Sequence, residues 1–127
     1  MMKQGLIVLV VLGLISVLII GCGESGTTSS SPNTVHTQGA SFVQSSITIS
    51  KGSMLTIVDD DATFHLIANG SWKNGVPTPT SESGAPRVNN MQLSNNGSIQ
   101  IGPFNTAGTY HLYCTIHHDM NLTVQVQ

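Results

Sequence analysis

The segment from Gly108 to Met120 brings three metal-binding side chains close together in sequence. Cys114, His117 and Met120 offer a thiolate, an imidazole and a thioether within seven residues. The residues before Cys114 alternate in polarity, which predicts a strand that ends at the cysteine and is followed by a short loop. Thiolate and thioether ligands are soft and select transition metals. The segment therefore predicts a metal site at the end of a strand.

The loop lacks a second histidine ligand, and His65 is the best candidate upstream because it lies in a short apolar strand. Two histidines, one cysteine and a weak axial methionine form the site of blue-copper electron-transfer proteins. A long axial thioether leaves Cu(II) near the trigonal geometry that Cu(I) accepts, so little moves when an electron arrives. His65, Cys114, His117 and Met120 are therefore predicted to hold one mononuclear copper ion.

The scaffold that must position these residues reads as all-β. From Ser41 onward apolar residues recur at every second position, as in Val43, Ile47 and Ile49, and turn signals separate the strands. The region 69–90 is rich in Gly, Pro and Asn, so no regular element is predicted there, and Trp72 is expected to pack it onto the body. The pattern predicts a Greek-key β-sandwich of about seven to eight strands.

Residues 1–22 are predicted to be a lipoprotein signal peptide. Lys3 precedes an apolar run over 5–20, which is shorter than the ~20 residues of a membrane span. The run ends in Ile-Ile-Gly-Cys22, which resembles the bacterial lipobox and implies cleavage before Cys22 and lipid on its thiol and amine. An uncleaved anchor helix is the alternative. Either way, the domain is expected outside the cytoplasm, anchored to the bacterial cell membrane.

Composition limits the remaining possibilities. Residues 23–40 carry no apolar period and are predicted to be a flexible tether, so the domain itself is assigned to 41–127. Charged residues make up only 8% of the chain, and beyond the leader three basic side chains face six acidic ones. A nucleic-acid binder would need a basic footprint, so that class is excluded. A monomer is expected.

The segment 108–117 resembles the cupredoxin pattern Gly-Thr-Tyr-x-Phe-Tyr-Cys-Ser/Thr-Pro-His of plastocyanin. The spacing Cys-x-x-His-x-x-Met is similar to the short ligand loop of amicyanin. The resemblance is strong over 104–126. It implies a copper-binding fold for one-electron transfer, with His65, Cys114, His117 and Met120 as ligands and the edge of His117 as the electron exit. It also implies that Tyr113 is an exposed residue on a second electron route.

The chain departs from this pattern around both histidines. Cupredoxins usually have Pro before and Asn after the first histidine, and that Asn ties the two ligand loops by hydrogen bonds; here the positions hold Phe64 and Leu66. Pro is also usual before the second histidine, where Ile116 stands. His118 follows His117 at a position that often holds Pro, so His118 is an alternative ligand that could replace or join His117.

These residues lead to three hypotheses of different classes. The first is an extracytoplasmic electron carrier between redox partner proteins, and the second is a protein that captures or delivers copper to a cuproenzyme such as an oxidase. The third is a metal-free β-sandwich used for adhesion. An enzyme is not expected, because no nucleophile–base pair and no second set of copper ligands stands at interpretable spacing.

Overall fold

The computed structural model describes residues 32–127, and this part of the chain is built from strands without helices. Accordingly, no helix in 32–127 is long and apolar enough to cross a membrane. The predicted signal peptide, Cys22 and the first half of the predicted tether, residues 23–31, lie outside the described residues. The strands are β1 (Thr34–Gln38), β2 (Ser41–Phe42), β3 (Ser46–Ile49), β4 (Ser53–Asp59), β5 (His65–Lys73), β6 (Val76–Pro79), β7 (Met91–Leu93), β8 (Ser98–Phe104), β9 (Gly108–Cys114) and β10 (Asn121–Val126).

Two mixed sheets pack face to face. One has the order β2-β1-β4-β8, and the other has the order β3-β10-β9-β5-β6, with β7 also paired to β5. The prediction of an all-β sandwich is confirmed. The strand count is ten because the predicted strand over 41–49 is divided into β2 and β3, while β1 and β6 form where a tether and a loop were predicted.

Strand β1 corrects the predicted domain boundary. It runs parallel to β4, with Val35 opposite Ile57, and both of these side chains are fully buried. Thr37 is also fully buried and donates its hydroxyl to the Val58 carbonyl at 3.4 Å. The tether prediction is therefore wrong for 34–38. The sequence does not predict this strand because threonines occupy inward positions that usually hold apolar residues, although threonine also suits a pleated, half-buried surface.

The core lies between the two sheets and is formed by inward side chains at alternating strand positions. Fully burying such a side chain stabilises the fold by about 1.5–3 kcal/mol, and the close packing makes the sandwich a rigid support. The largest fully buried apolar side chains are Phe104, Ile49, Leu55, Ile57, Ile67, Leu93, Leu112, Leu122, Val35 and Val124.

Strand pairing brings the predicted ligands to one end of the sandwich. Strands β5 and β9 are antiparallel, with Ile67 opposite Cys114, so the first residue of β5 lies near the last residue of β9. Strand β10 then returns along β9, with Asn121 opposite Tyr113, which limits the loop between them to 115–120. The register therefore fixes where the ligand loop starts and where it ends.

Part of the region 69–90 is regular, contrary to the prediction. Strand β5 continues to Lys73 and forms a hairpin with β6, in which Ser71 faces Thr78. Asn74 and Gly75 make the turn with φ values of 50° and 75°. An Asn-Gly pair with two positive φ angles is the favoured two-residue hairpin turn. Asn and Gly interrupt most strands, which is why no regular element is predicted here, but an Asn-Gly pair also favours a hairpin.

Candidate metal centre

His65 is the first residue of β5 and is fully buried. Burial lowers its pKa below the ordinary histidine value, and a charge on His117 lowers that pKa further. The carboxylates of Asp59 and Asp61 act weakly in the opposite direction. Because neutral imidazole is the form that binds metals, the site of His65 favours the ligating form.

Cys114 is the last residue of β9 and is a fully buried free cysteine. Its amide donates to the Met120 carbonyl at 3.0 Å, which closes the loop over the thiol. The next amide, that of Thr115, donates to the Leu66 carbonyl at 2.8 Å, so the segments carrying Cys114 and His65 are joined directly. The backbone that carries the thiol is thus bonded to Met120 on one side and to Leu66 on the other.

His117 completes a three-donor group. Its Nδ1 lies 3.5 Å from the Sγ of Cys114 and 3.1 Å from the Nδ1 of His65. The two imidazole rings meet nearly edge to face, with centroids 4.9 Å apart and planes at 74°. Among residues 32–127, this is the one group of three or more His, Cys, Asp or Glu side chains whose donor atoms, all within 4.8 Å of one another, could hold a metal ion.

The spacing of these donors fits a single metal ion. Ligands at about 2.0 Å (nitrogen) and 2.3 Å (sulfur), the usual metal distances, would be separated by 3.1 Å and 3.5 Å at bond angles of about 100–110°. Two facing Nδ1 lone pairs repel unless a proton or a cation lies between them. The geometry therefore suits one ion in trigonal or tetrahedral coordination.

His65 supplies a further test of fit. Its Nε2 is the one buried side-chain nitrogen or oxygen, among the described residues, that has no hydrogen-bond partner. A neutral imidazole carries one proton, and a metal bound at Nδ1 would leave that proton on Nε2. The atom of His65 that could bind a metal together with Cys114 and His117 is therefore Nδ1, which lies 3.1 Å from the His117 Nδ1.

Met120 lies in the same loop, and its side chain is buried. Its amide donates to the His117 carbonyl at 3.3 Å, and its carbonyl accepts from Cys114. The backbone of Met120 is therefore bonded to two of the three donor residues. Its thioether as a fourth ligand remains a prediction.

The structure places His118 outside the group. Its exposed ring packs on the indole of Trp72, with centroids 4.9 Å apart, and its Nδ1 lies 3.0 Å from the Asp119 carboxylate. In this arrangement His117 points into the site and His118 points away from it. The sequence could not separate the two, because neighbouring loop residues have no fixed period.

Tyr113 is buried, with 2% of its surface exposed, whereas the resemblance implied an exposed ring. Trp72 covers it edge-on at 6.4 Å, and burial raises the pKa of the phenol. Tyr113 still lines a cleft of about 540 Å³, together with Arg87 and Asn90.

Two residues near the site were missed as site residues. The indole Nε1 of Trp72 donates to the Cys114 carbonyl at 2.8 Å, and Asn121 bonds to the backbone of Trp72. Trp72 stood out as the single tryptophan of the chain, but nothing in its local sequence pointed to Cys114. The contact depends on the β5–β6 hairpin, which the sequence reading did not predict.

No protein-family model matches the chain, and no curated protein reaches a significant match. Among solved structures, the chain is similar to amicyanin from Paracoccus versutus (Thiobacillus versutus), with a TM-score of 0.58 and 21% identity over 77% of this chain and 83% of that one. It is also similar to a purple cupredoxin from Nitrosopumilus maritimus, with a TM-score of 0.55 and 20% identity over 74% of this chain and 98% of that one. A mutant amicyanin in its reduced Cu(I) form gives a TM-score of 0.57 at 17% identity, over 74% and 80% of the two chains. These likenesses establish a cupredoxin-like fold.

Proposed function

We propose that this chain binds one copper ion through His65, Cys114 and His117, with Met120 as a weak fourth ligand, and carries single electrons between redox partners outside the cytoplasm. The observation that carries this proposal is the convergence of two Nδ1 atoms and one Sγ, 3.1 Å and 3.5 Å apart, at one end of a rigid sandwich. The solved structures of similar fold include an amicyanin in a Cu(I) form and a cupredoxin, which supports copper as the ion.

The donor chemistry favours copper over zinc. Structural zinc sites take four strong ligands from Cys, His or carboxylates. Here three such ligands converge, and the same loop also carries the buried side chain of Met120. Thioethers select Cu(I), and a trigonal His-His-Cys site with a weak axial methionine is the electron-transfer arrangement of copper.

When bound, copper would supply the one-electron redox chemistry, and the residues of the chain would determine its geometry and its access. His65 and Cys114 are fixed at strand ends by the β5–β9 register and by the bond from the Thr115 amide to Leu66. Because these residues are already in place, few atoms need to move between oxidation states. Burial of Cys114 and His65 also excludes water from the donors.

The half-buried ring of His117 is the proposed electron exit. Its neighbour Ile116 is 48% exposed, and Phe64, which precedes His65, is 43% exposed. These apolar side chains flank the two histidine ligands in sequence and present surface that a partner can cover without desolvating charges. A small apolar contact of this kind suits a transient complex, as expected for redox encounters.

We further propose that the domain is held at the outer face of a bacterial membrane by lipid on Cys22. The proposal rests on the Ile-Ile-Gly-Cys22 sequence at the end of the apolar leader. Metabolic labelling with a fatty acid is expected to mark the wild-type protein and not a Cys22→Ala variant. Label that persists in the variant would exclude this attachment site.

Copper loading of the purified protein tests the proposed centre. Adding Cu(II) to the metal-free wild type is expected to give an intense thiolate-to-copper absorption band and one copper per chain. Cys114→Ser should remove the band, and His117→Ala should weaken binding strongly. His118→Ala is the matched control and should keep the thiolate band, because that ring lies outside the three-donor group.

Two results would contradict the proposal. One is copper binding without a thiolate band, and the other is loss of the band in His118→Ala with retention in His117→Ala. Repeated oxidation and reduction in the presence of a chelator adds a functional criterion. A carrier retains its copper through the cycles, whereas ready loss of Cu(I) to the chelator would favour copper delivery over electron transfer.

A further inference from the structure

The ligand loop is defined here as residues 115–120 together with the strand residues that flank them, Cys114 and Asn121. The β5–β6 hairpin contacts this loop at its first residue, Cys114. The indole Nε1–H of Trp72 donates to the carbonyl of Cys114 at 2.8 Å. The amide of the same residue, Cys114, already donates to Met120, so both backbone groups of the predicted thiolate ligand are bonded. The hairpin thereby fixes the peptide group between Cys114 and Thr115, where the strand that carries the thiol ends and the loop begins.

The hairpin also holds the last residue of the ligand loop. The amide of Trp72 donates to the Oδ1 of Asn121 at 2.7 Å, and the Nδ2 of Asn121 donates back to the Trp72 carbonyl at 3.2 Å. The side chain of Asn121 therefore pairs with the backbone of Trp72 as a neighbouring strand would. One residue of the hairpin, Trp72, thus reaches both ends of the loop.

The third contact lies in the middle of the loop. The ring of His118 packs on the indole of Trp72 at 4.9 Å. The same ring lies so close to Gly75 that a Cβ at this position would stand 3.1 Å from the His118 Nε2. The turn and the indole together leave a slot for His118, which holds it away from the three donors while His117 faces them.

We infer that the β5–β6 hairpin, through Trp72 and Asn121, is a positioning element that holds the ligand loop in its metal-binding shape before a metal arrives. This inference rests on the proposed copper site. On the opposite side, the Thr115 amide donates to the Leu66 carbonyl and joins the loop to the segment of His65. The hairpin supplies hydrogen bonds at both ends of the loop and so keeps Cys114 and His117 at their observed spacing.

The physical reason is preorganisation. A loop that must order itself around a metal loses conformational entropy on binding, and affinity falls accordingly. Groups that orient metal ligands without touching the metal commonly change affinity by about 10- to 100-fold when they are mutated. Trp72 and Asn121 are expected to act in this range, although neither contributes a donor atom.

Three full-length variants test the inference. Trp72→Phe removes the indole donor, Asn121→Ala removes both bonds to Trp72, and Asn121→Asp keeps the acceptor for the Trp72 amide. Asn69→Ala is the matched control. Its side chain also makes two backbone bonds, to the Pro86 carbonyl at 3.0 Å and from the Val88 amide at 2.6 Å, and neither bond is to the ligand loop.

The first measurement uses metal-free protein. Amide hydrogen exchange over 115–120 is expected to be at least tenfold faster in Trp72→Phe and Asn121→Ala than in Asn69→Ala, with Asn121→Asp in between. Equal exchange in the control and the two hairpin variants would overturn the inference. This comparison needs no copper, so it separates failure of the inference from failure of the proposed copper site.

The second measurement uses copper titration of the same variants. Trp72→Phe and Asn121→Ala are expected to bind copper about 10- to 100-fold more weakly than wild type and to shift the thiolate band. Asn69→Ala should keep the wild-type spectrum even if it unfolds at a lower temperature. Wild-type affinity and spectrum in Trp72→Phe and Asn121→Ala would also overturn the inference, whereas a wild type that binds no copper would contradict the proposed function alone.

Discussion

Replacing Val35 by alanine is expected to destabilise the domain strongly, because the structure places this side chain in the core. Val35 lies on β1, opposite Ile57 of β4, and none of its surface is exposed. If residues up to 40 were a flexible tether, as their composition indicates, the same substitution would change nothing measurable. The substitution therefore tests where the folded domain begins.

The magnitude follows from the two methyl groups that are removed. At about 0.8 kcal/mol per buried carbon, the lost transfer free energy is about 1.6 kcal/mol, and the residual cavity adds to it, for a total of about 2–3 kcal/mol. For a domain of this size the melting temperature should fall by about 10–20 °C. A loss of about 2–3 kcal/mol is a substantial fraction of the usual free energy of unfolding, which is about 5–15 kcal/mol.

Val43→Ala is a control of identical chemistry. The alternation of residues 43, 47 and 49 places Val43 on one face with two isoleucines, yet Val43 is 62% exposed in the structure. Its substitution should change the free energy of unfolding by less than about 0.5 kcal/mol. Urea unfolding of metal-free protein, followed by the fluorescence of Trp72, measures both variants without a contribution from metal binding. A loss of stability in Val35→Ala as small as that in Val43→Ala would refute the placement of β1.

Three further substitutions have defined outcomes. Met120→Leu conserves volume and should change the free energy of unfolding by less than about 1.5 kcal/mol. Loss of the thioether should nevertheless raise the reduction potential of the copper-loaded protein, since the axial ligand tunes that potential. An unchanged potential in voltammetry would show that Met120 is not a ligand. The pKa of the Asp61 carboxyl is lowered below 3.8, chiefly by the Gly39 amide that donates to it, so its contribution to stability is present above the unfolded value and is lost as pH falls through the lower folded value. The urea midpoints of wild type and Asp61→Asn should therefore differ at neutral pH, begin to approach each other near about pH 4 and converge only below the lowered folded pKa; a difference that does not shrink with falling pH would exclude this explanation. Gly70 has φ of 131° and would place a Cβ against the Thr78 backbone, so Gly70→Ala should lower the melting temperature and weaken copper binding by displacing the hairpin; a wild-type melting curve would contradict this.

The metal centre could be predicted from the sequence because it depends on two local features, the short spacing of the ligands and the alternation of polarity in the strands around them. Cys114, His117 and Met120 all lie in or beside one short loop between two strands. The positions of these residues are therefore determined largely by the loop and the two strands that flank it. Alternation in β9 and β10 is strong, and their pairing puts Leu122 opposite Leu112 with both buried. His65 was identified because it sits in a short apolar segment, and antiparallel pairing of β5 with β9 brings it to the same end of the sandwich.

What could not be predicted depends on contacts between distant segments. Tyr113 has the sequence position of an exposed ring, but Trp72, 41 residues upstream, covers it. Strand β1 has one large apolar residue and is recognisable only when β4 is beside it. Thr34 and Thr37 are buried in that strand and look like tether residues when read alone. In each case the partner segment, not the local pattern, decides the outcome.

The position of Leu66 shows how one physical requirement can be met by different residues. In the family pattern an asparagine after the first histidine ties the ligand loops through its side chain, whereas Leu66 offers only its backbone carbonyl, which accepts from the Thr115 amide. The missing side-chain tie is replaced on the other side of the loop, where Asn121 bonds the backbone of Trp72 and the indole bonds Cys114. Since the requirement is a loop held at both ends, the constraint falls on geometry and not on residue identity at position 66.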